Sequence, residues 1–164
     1  MPIQLDEIDV RLLKELERDA DRPNVELARL VGLSPAATLN RVRRLKESGV
    51  IRKIAARLDS AAAGFTLQVY VMVTLARHDV AAEKRFNAEV AAIDNIIAAD
   101  SVAGETDALL MIAARDVAEL QLVLSRLSTR GGAQRLITLL RLGELKPSSP
   151  LPVRATSVQS RRAA

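Results

Sequence analysis

Residues 33–51 read LSPAATLNRVRRLKESGVI, and this stretch decides the fold around it. It is a helix with a marked start and a marked stop. The Ser34 hydroxyl can accept a free N–H of the first turn, and Pro35 follows at the first helical position, where its missing N–H costs nothing. Gly49 stands past the last turn, where a left-handed residue is usually needed. Thr38, Val42 and Leu45 recur at three- to four-residue spacing and face a core, whereas Ala36, Ala37, Asn40, Arg43 and Arg44 point elsewhere. The outer face is therefore small at its N-terminal end and basic further along. A helix entering the DNA major groove needs that arrangement, because small residues permit close approach and arginines reach phosphates or guanine edges. A solvated basic face would look the same on the helix alone. The basic run continues beyond it, however, with seven Lys and Arg residues against the single acid Glu47 between Arg41 and Arg57. Such one-sidedness points to an anionic partner.

Upstream, Leu5 to Asp19 is an amphipathic helix with Ile8, Leu12, Leu13 and Leu16 as its apolar stripe. Asp6 or Asp9 can cap it, and acids near its start suit the helix dipole. A turn at Asp21 to Asn24 leads into a short second helix, Val25 to Val31, with Val25, Leu27, Ala28 and Leu30 as expected core contacts. Gly32 and Leu33 then turn the chain into the Ser34 helix. Three helices with a short glycine-containing turn between the second and third make a helix-turn-helix.

Composition narrows the alternatives. The chain has 164 residues, about half of them apolar, and only three aromatics, Phe65, Tyr70 and Phe86. Recognition of single strands or RNA loops by base stacking has almost nothing to work with. The net charge is +4 with 20 acids present, so the basicity is local. There is no cysteine and the single histidine is His78, which leaves no thiolate chemistry and no metal site that sequence can supply. No GxGxxG or GxxxxGK[ST] motif occurs, and no serine has a histidine partner that the sequence can point to. Neither a catalytic residue nor a cofactor is expected. The first residues are acidic and amphipathic, unlike a secretory leader, and no apolar run approaches the roughly 20 residues of a membrane span. The expectation is a soluble cytoplasmic protein without a membrane partner.

Leu5-Asp6, Ile8-Asp9, Leu13, Arg22, Leu27-Ala28, Gly32-Leu33-Ser34, Arg41-Val42, Arg44-Leu45 and Gly49-Val50-Ile51 closely resemble the N-terminal domain of the Lrp/AsnC, or feast/famine, transcription regulators. The spacing holds without a gap from Leu5 to Ile51. The resemblance implies an α+β protein in which a three-helix winged helix-turn-helix is joined by a hinge to a ferredoxin-like βαββαβ domain of the RAM type.

The downstream residues fit that plan. Arg52 to Gly64 is the connector, with Ile54 and Ala56 alternating with charged neighbours as a short hinge strand would. Phe65 to Ala76 is the strongest strand signal, with Phe65, Leu67, Val69, Val71, Val73 and Leu75 on one face. Its other face carries Tyr70 and Met72, too apolar for plain solvent, and could meet another subunit. Asp79 to Ala92 reads as a helix with Val80, Phe86, Val90 and Ile93 inward. Asn95 to Ala103 and Thr106 to Ala114 read as strands joined at Gly104-Glu105. Asp116 caps a helix running to Ser128, Arg130-Gly131-Gly132 is a turn, and Leu136 to Leu145 is a last strand. The order βαββαβ is a split βαβ fold. Residues 1–62 are thus expected to bind DNA and include the hinge strand. Residues 63–146 form the second domain. Residues 147–164, Pro/Ser-rich with three arginines and no acid, lack the apolar content to fold and are expected to be disordered.

Two sites follow. For double-stranded DNA, Ser34 and Pro35 at the helix start, Ala36, Ala37 and Asn40 on the groove face, and Arg41, Arg43, Arg44, Arg52 and Lys53 against phosphates are the candidates. Asn40 can pair with adenine through two hydrogen bonds. Arg41 has a competing role as a bracing salt bridge to an acid of the first helix, and the Thr38 hydroxyl can bond back to a carbonyl. The second site is implied by the resemblance, carried by Ala103-Gly104-Glu105-Thr106-Asp107, Leu109-Leu110, Thr138 and Lys146. It would bind a small effector, an amino acid or a relative, through Ser101, Val102, Ala103, Gly104, Glu105, Thr106, Asp107 and Thr138. A hairpin turn alone would also explain Gly104. Ala108 replaces a tyrosine frequent in the family, and Gly131-Gly132-Ala133 replaces the usual proline-glycine-valine. The resemblance further implies a homodimer that assembles into higher oligomers such as octamers. The rival reading is an enzyme subunit of the siroheme decarboxylase type, which shares the architecture. It would want histidines near a tetrapyrrole and would not need arginines on the third helix.

Overall fold

The computed structural model describes residues 4–77 and 79–156. The chain divides into two compact units, residues 4–56 with 146–156, and residues 57–145. His78, the single histidine, lies outside the described residues.

The first unit is three helices, α1 (Glu7–Arg18), α2 (Asn24–Val31) and α3 (Pro35–Glu47). Asp6 caps α1: its Oδ1 accepts the Asp9 N–H at 2.8 Å, and Asp9 Oδ2 accepts the Asp6 N–H at 3.2 Å in return. Two orphan donors of the first turn are thereby satisfied. Gly32 ends α2 with φ 72°, in the left-handed region where glycine carries no Cβ penalty. Ser34 starts α3, its Oγ accepting the Ala37 N–H at 3.2 Å, with Pro35 at the first helical position. Leu12, Leu27 and Val31 pack together with Ile8, Leu16, Leu33 and Val42 around them. Val10, Leu13 and Ala28 are also buried. Val25, expected inward, is exposed, because α2 begins at Asn24 and turns Leu27, Ala28 and Val31 to the core instead.

The expected hinge strand is not formed among the described residues: residues 52–59 pair with no strand there and are exposed. An isolated extended segment has no ladder partner to satisfy its backbone. Residues 147–156 form neither helix nor strand, yet hydrogen-bond to the first unit at two points, Leu151 N–H to Glu17 Oε1 at 3.1 Å and Thr156 N–H to the Leu5 carbonyl at 2.9 Å.

The second unit runs β1 (Leu67–Leu75), α4 (Val80–Ala91), β2 (Ile96–Ser101), β3 (Ala108–Ala114), α5 (Val117–Thr129) and β4 (Ala133–Leu140). The sheet is antiparallel throughout, in the order β2-β3-β1-β4. Strand β1 alternates as its sequence dictates, with Val69, Val71, Val73 and Leu75 buried and the residues between them half-buried. The buried set joins Leu110 and Ile112 of β3, Phe86 of α4 and Leu120, Val123 and Leu127 of α5 in one core. Both helices therefore cover the same face. Strand β4 begins and ends earlier than the sequence suggests, because its ladder to β1 runs from Ala133 opposite Leu75 to Leu140 opposite Val69. Val80, expected inward, is exposed at the first residue of α4, and Ala82 is buried instead. Among the described residues no helix is long and apolar enough to cross a membrane.

Candidate nucleic-acid interface and effector cleft

Helix α3 is clamped to α1 from one side. Thr38 and Leu45 are fully buried, and the Thr38 hydroxyl donates back to the Ser34 carbonyl at 3.0 Å. Asp9 is also fully buried, and its carboxylate takes Arg41 Nη1 at 3.0 Å and a close contact from Arg44 Nη2. Arg41 reaches Asp6 Oδ2 at 2.5 Å as well. The Asp9 N–H, and then Arg41, hold the Asp6 carboxyl below its ordinary range, and Asp6 in turn raises the Arg41 guanidinium. The bracing contact weighed for Arg41 is present, and Arg44 makes one as well.

Pro35, Ala36, Leu39, Asn40 and Arg43 of α3 are exposed, and Arg44 stays exposed while it reaches Asp9. Ala37 is half-buried and its N–H is occupied by Ser34. Leu39 was absent from the sequence-based groove set. It is 49% exposed although apolar, and it stands three residues from Ala36 and four from Arg43, which places it on their face. A leucine there can contact a thymine methyl. The i, i+3, i+4 spacing is the signal that could have found it. The Asn24 side chain donates to the Pro35 carbonyl at 2.8 Å and ties α2 to the start of α3. Beyond α3, Arg52 and Lys53 are exposed and border a shallow recess with Lys46, Ile51 and Ile54.

In the second unit a cleft of about 250 Å³ opens between α4 and β2. Its apolar floor includes Leu75, Phe86, Val90 and Leu110, and its polar rim is Glu83, Asn87, Asp100, Ser101 and Asp107. Of the expected effector residues, Ser101, Val102 and Asp107 line it. Asp107 also builds it: its Oδ2 accepts the Leu75 N–H at 2.7 Å and its own N–H donates to the Val73 carbonyl at 2.8 Å. Ala103, Gly104 and Glu105 are exposed on the connecting loop, and Thr106 is half-buried. Thr138 is not brought to this loop within one chain. It sits opposite Val71 on β4, at the far edge of the sheet from β2. Glu83 and Asn87 lay beyond sequence reasoning, because only the packing of α4 beside β2 brings them to the loop. Among the described residues no cluster of three or more carboxylates and histidines could hold a metal ion.

Comparison with known proteins bears on both units. A profile of the AsnC-type helix-turn-helix domain matches residues 5–46, and one of the Lrp/AsnC ligand-binding domain matches residues 68–151. The leucine-responsive regulatory protein of Rhizobium meliloti is 36% identical over 92% of this chain and 97% of its own length. The HTH-type transcriptional regulator AldR of Mycolicibacterium smegmatis is 36% identical over 90% of this chain and 86% of its own. The crystal structure of a transcriptional regulator from Neisseria meningitidis in complex with L-Met superposes with a TM-score of 0.83 at 31% identity, covering 90% of this chain and 96% of that one. The helix-turn-helix, the split βαβ domain and these relatives lead to one conclusion: the chain belongs to the Lrp/AsnC family of ligand-modulated, DNA-binding transcription regulators.

Proposed function

We propose that α3 reads an operator through Ala36, Leu39, Asn40 and Arg43, with Ser34, Arg52 and Lys53 on flanking phosphates. The observation that carries this reading is the division of labour on α3. Arg41 and Arg44 reach Asp9, Arg44 while still exposed, and Asn40 and Arg43 stand exposed beside small or apolar residues. A phosphate can also meet Ser34 at the helix N-terminus, where the dipole and free N–H groups favour anions. Functionally, residues 1–62 read DNA and residues 63–146 sense and assemble, in a protein that works in the cytoplasm.

The second unit supplies the dimer. The sheet face that the helices leave open carries Tyr70 and Met72 of β1, Leu109 and Met111 of β3, and Ile137 and Leu139 of β4, neighbours by register. An apolar patch of that kind on one face of a sheet suits a second copy. A dimer would take two half-sites about one helical turn of DNA apart, or a multiple. Higher assembly brings further copies to the loop around Gly104, where Thr138 of another subunit could join it.

The effector is an amino acid. The rim of the α4–β2 cleft offers Glu83, Asp100 and Asp107 for an ammonium group, Ser101 and Asn87 for hydrogen bonds, and a floor of Leu75, Phe86 and Val90 for a side chain. The relative solved with L-Met makes methionine the first ligand to try. The test is fluorescence anisotropy on the protein's own upstream DNA and on random duplex, across a salt series, with and without a panel of amino acids. A preference for the upstream DNA that one amino acid shifts supports the reading. Equal affinity for both duplexes under every condition overturns it.

A further inference from the structure

On the DNA-binding reading of α3, we propose that Asp6 is a specificity-determining residue: its carboxylate withholds one arginine charge of α3 from the phosphates that every duplex offers. Asp6 and Asp9 stand three residues apart at the start of α1, and Arg41 and Arg44 stand three apart on α3, so each pair shares one side of its helix. The two carboxylates meet the two guanidinium groups. Arg41 Nη1 donates to Asp6 Oδ2 at 2.5 Å and to Asp9 Oδ1 at 3.0 Å, and Arg44 Nη2 donates to Asp9 Oδ2. Two negative charges answer two positive ones, and the cluster is neutral.

Its two acids differ in what they do. Asp9 is fully buried and serves the fold. The Asp6 side chain is 50% exposed, so its ion pair with Arg41 adds little to stability. Nor does the cap need its charge: Asp6 Oδ1 accepts the Asp9 N–H, a task that an asparagine or serine side chain performs as well. What the charge does is cancel a cation beside the groove face. Arg44 follows Asn40 by about one helical turn, adjoins Arg43 and is itself 49% exposed in its side chain. Among the described residues Arg41 bonds only through Nη1 and Arg44 only through Nη2, so each keeps further N–H donors for a phosphate. Without the Asp6 charge, Asp9 alone faces both arginines, and the cluster carries one net positive charge whichever guanidinium swings out. Binding to random DNA is phosphate contact and counterion release, and a loosely seated helix can settle where the freed arginine finds a phosphate. On the operator the helix is seated by base contacts as well, so the freed arginine has fewer places to go and the gain is smaller. Asp6 thus lowers affinity most where no base is read.

The experiment compares the full-chain parent with Asp6→Asn and Asp6→Ser, each of which keeps a capping side chain, by anisotropy titrations on upstream and random duplex across a salt series. Both variants should bind random duplex about three- to tenfold more tightly at about 0.1 M salt, with a log–log salt slope steeper by about 0.9, while the ratio of upstream to random affinity falls about threefold. Adding Arg41→Gln to Asp6→Asn makes the cluster neutral again and should return the random-duplex slope to that of the parent. Unchanged or weaker binding to random duplex by both single variants overturns this role of Asp6, as does a gain shared equally by the two duplexes. A gain that survives Arg41→Gln arises outside the cluster and overturns it too. If Arg43→Ala weakens binding while neither Asp6 variant alters it, the recognition helix stands and the role of Asp6 falls. A parent that binds neither duplex overturns both.

Discussion

At the scale of single residues, Asn40 and Arg43 have different duties although they share a face. Asn40 can make a bidentate pair with one adenine, and Asn40→Ala should cost about 1–3 kcal/mol on the operator, little on random DNA, and relax the preference at that base. Arg43 is long and exposed beyond it. If it holds a phosphate, Arg43→Ala weakens all sequences about equally and lowers the salt slope by about 1. Paired titrations on operator and random duplex separate the two outcomes. Asp9 belongs to stability rather than to DNA. It is a fully buried carboxylate with two guanidinium groups on it, and it completes the cap of α1. Asp9→Ala removes the centre of that cluster and leaves Arg41 and Arg44 competing for Asp6. A loss of about 3 kcal/mol is expected, the low end for a broken buried pair because both arginines reach solvent. A shift of the urea midpoint for helix loss measures it, and an unchanged midpoint would show the cluster to be dispensable.

At the scale of elements, what could be read in the sequence was what is decided locally. Of the caps read in the sequence, Asp6 (offered with Asp9), Ser34 and Asp116 each accept an N–H of the first turn, because an N-cap needs only its own first turn. The alternation of β1 was equally legible, since its period is set by the pleat. Elements decided by a partner were not. The extent of β4 follows from the β1 ladder, and the 52–59 segment lacks a strand because no described residue pairs with it. Gly131 is a further case: a Cβ there would stand 2.6 Å from the Leu127 carbonyl oxygen, a close approach that the Arg-Gly-Gly turn signals without revealing its cause. The cleft beside α4 was legible in part for the same reason: Ser101, Val102 and Asp107, singled out in the sequence, line it, and its α4 wall was unseen. The junction of β3 and α5 carries a prediction of its own. Arg115 donates to Glu119 through both its backbone N–H, at 2.6 Å, and its guanidinium, at 2.9 Å. The guanidinium bond is the main reason the Glu119 carboxyl falls to about 2. A carboxyl depressed on folding stabilises the fold above its unfolded value, near 4.5, and that contribution fades as pH drops toward 2. Glu119→Gln should therefore lower the urea midpoint at pH 7 and leave a smaller gap to the parent near pH 2.5. A gap of constant size would mean that the charge on Glu119 contributes nothing.

At the scale of the whole molecule, regulation requires that the DNA-reading unit sense the state of the second unit. The most economical coupling is through assembly. One helix-turn-helix offers a small footprint, and two held together gain by effective concentration what neither has alone. Whatever changes the assembly then changes DNA affinity without altering a single base contact, and a ligand acts by its differential affinity for the arrangements. The open sheet face is where this can be broken cleanly. Met72 is half-buried in one chain, flanked by Leu109 and Ile137 on the two neighbouring strands, and it touches none of the proposed DNA residues. A carboxylate at that position would be solvated in the monomer and stranded between apolar sheets in the proposed dimer, where an unpaired charge costs several kcal/mol. If the proposed dimer forms, Met72→Asp should sediment as a monomer at concentrations where the parent sediments as a dimer. It should keep its helix and strand content by circular dichroism and lose most of its operator affinity while retaining weak, salt-sensitive binding to any duplex. A monomeric variant that still binds the operator as tightly as the parent would place the regulatory coupling elsewhere, in a single chain whose two units communicate directly.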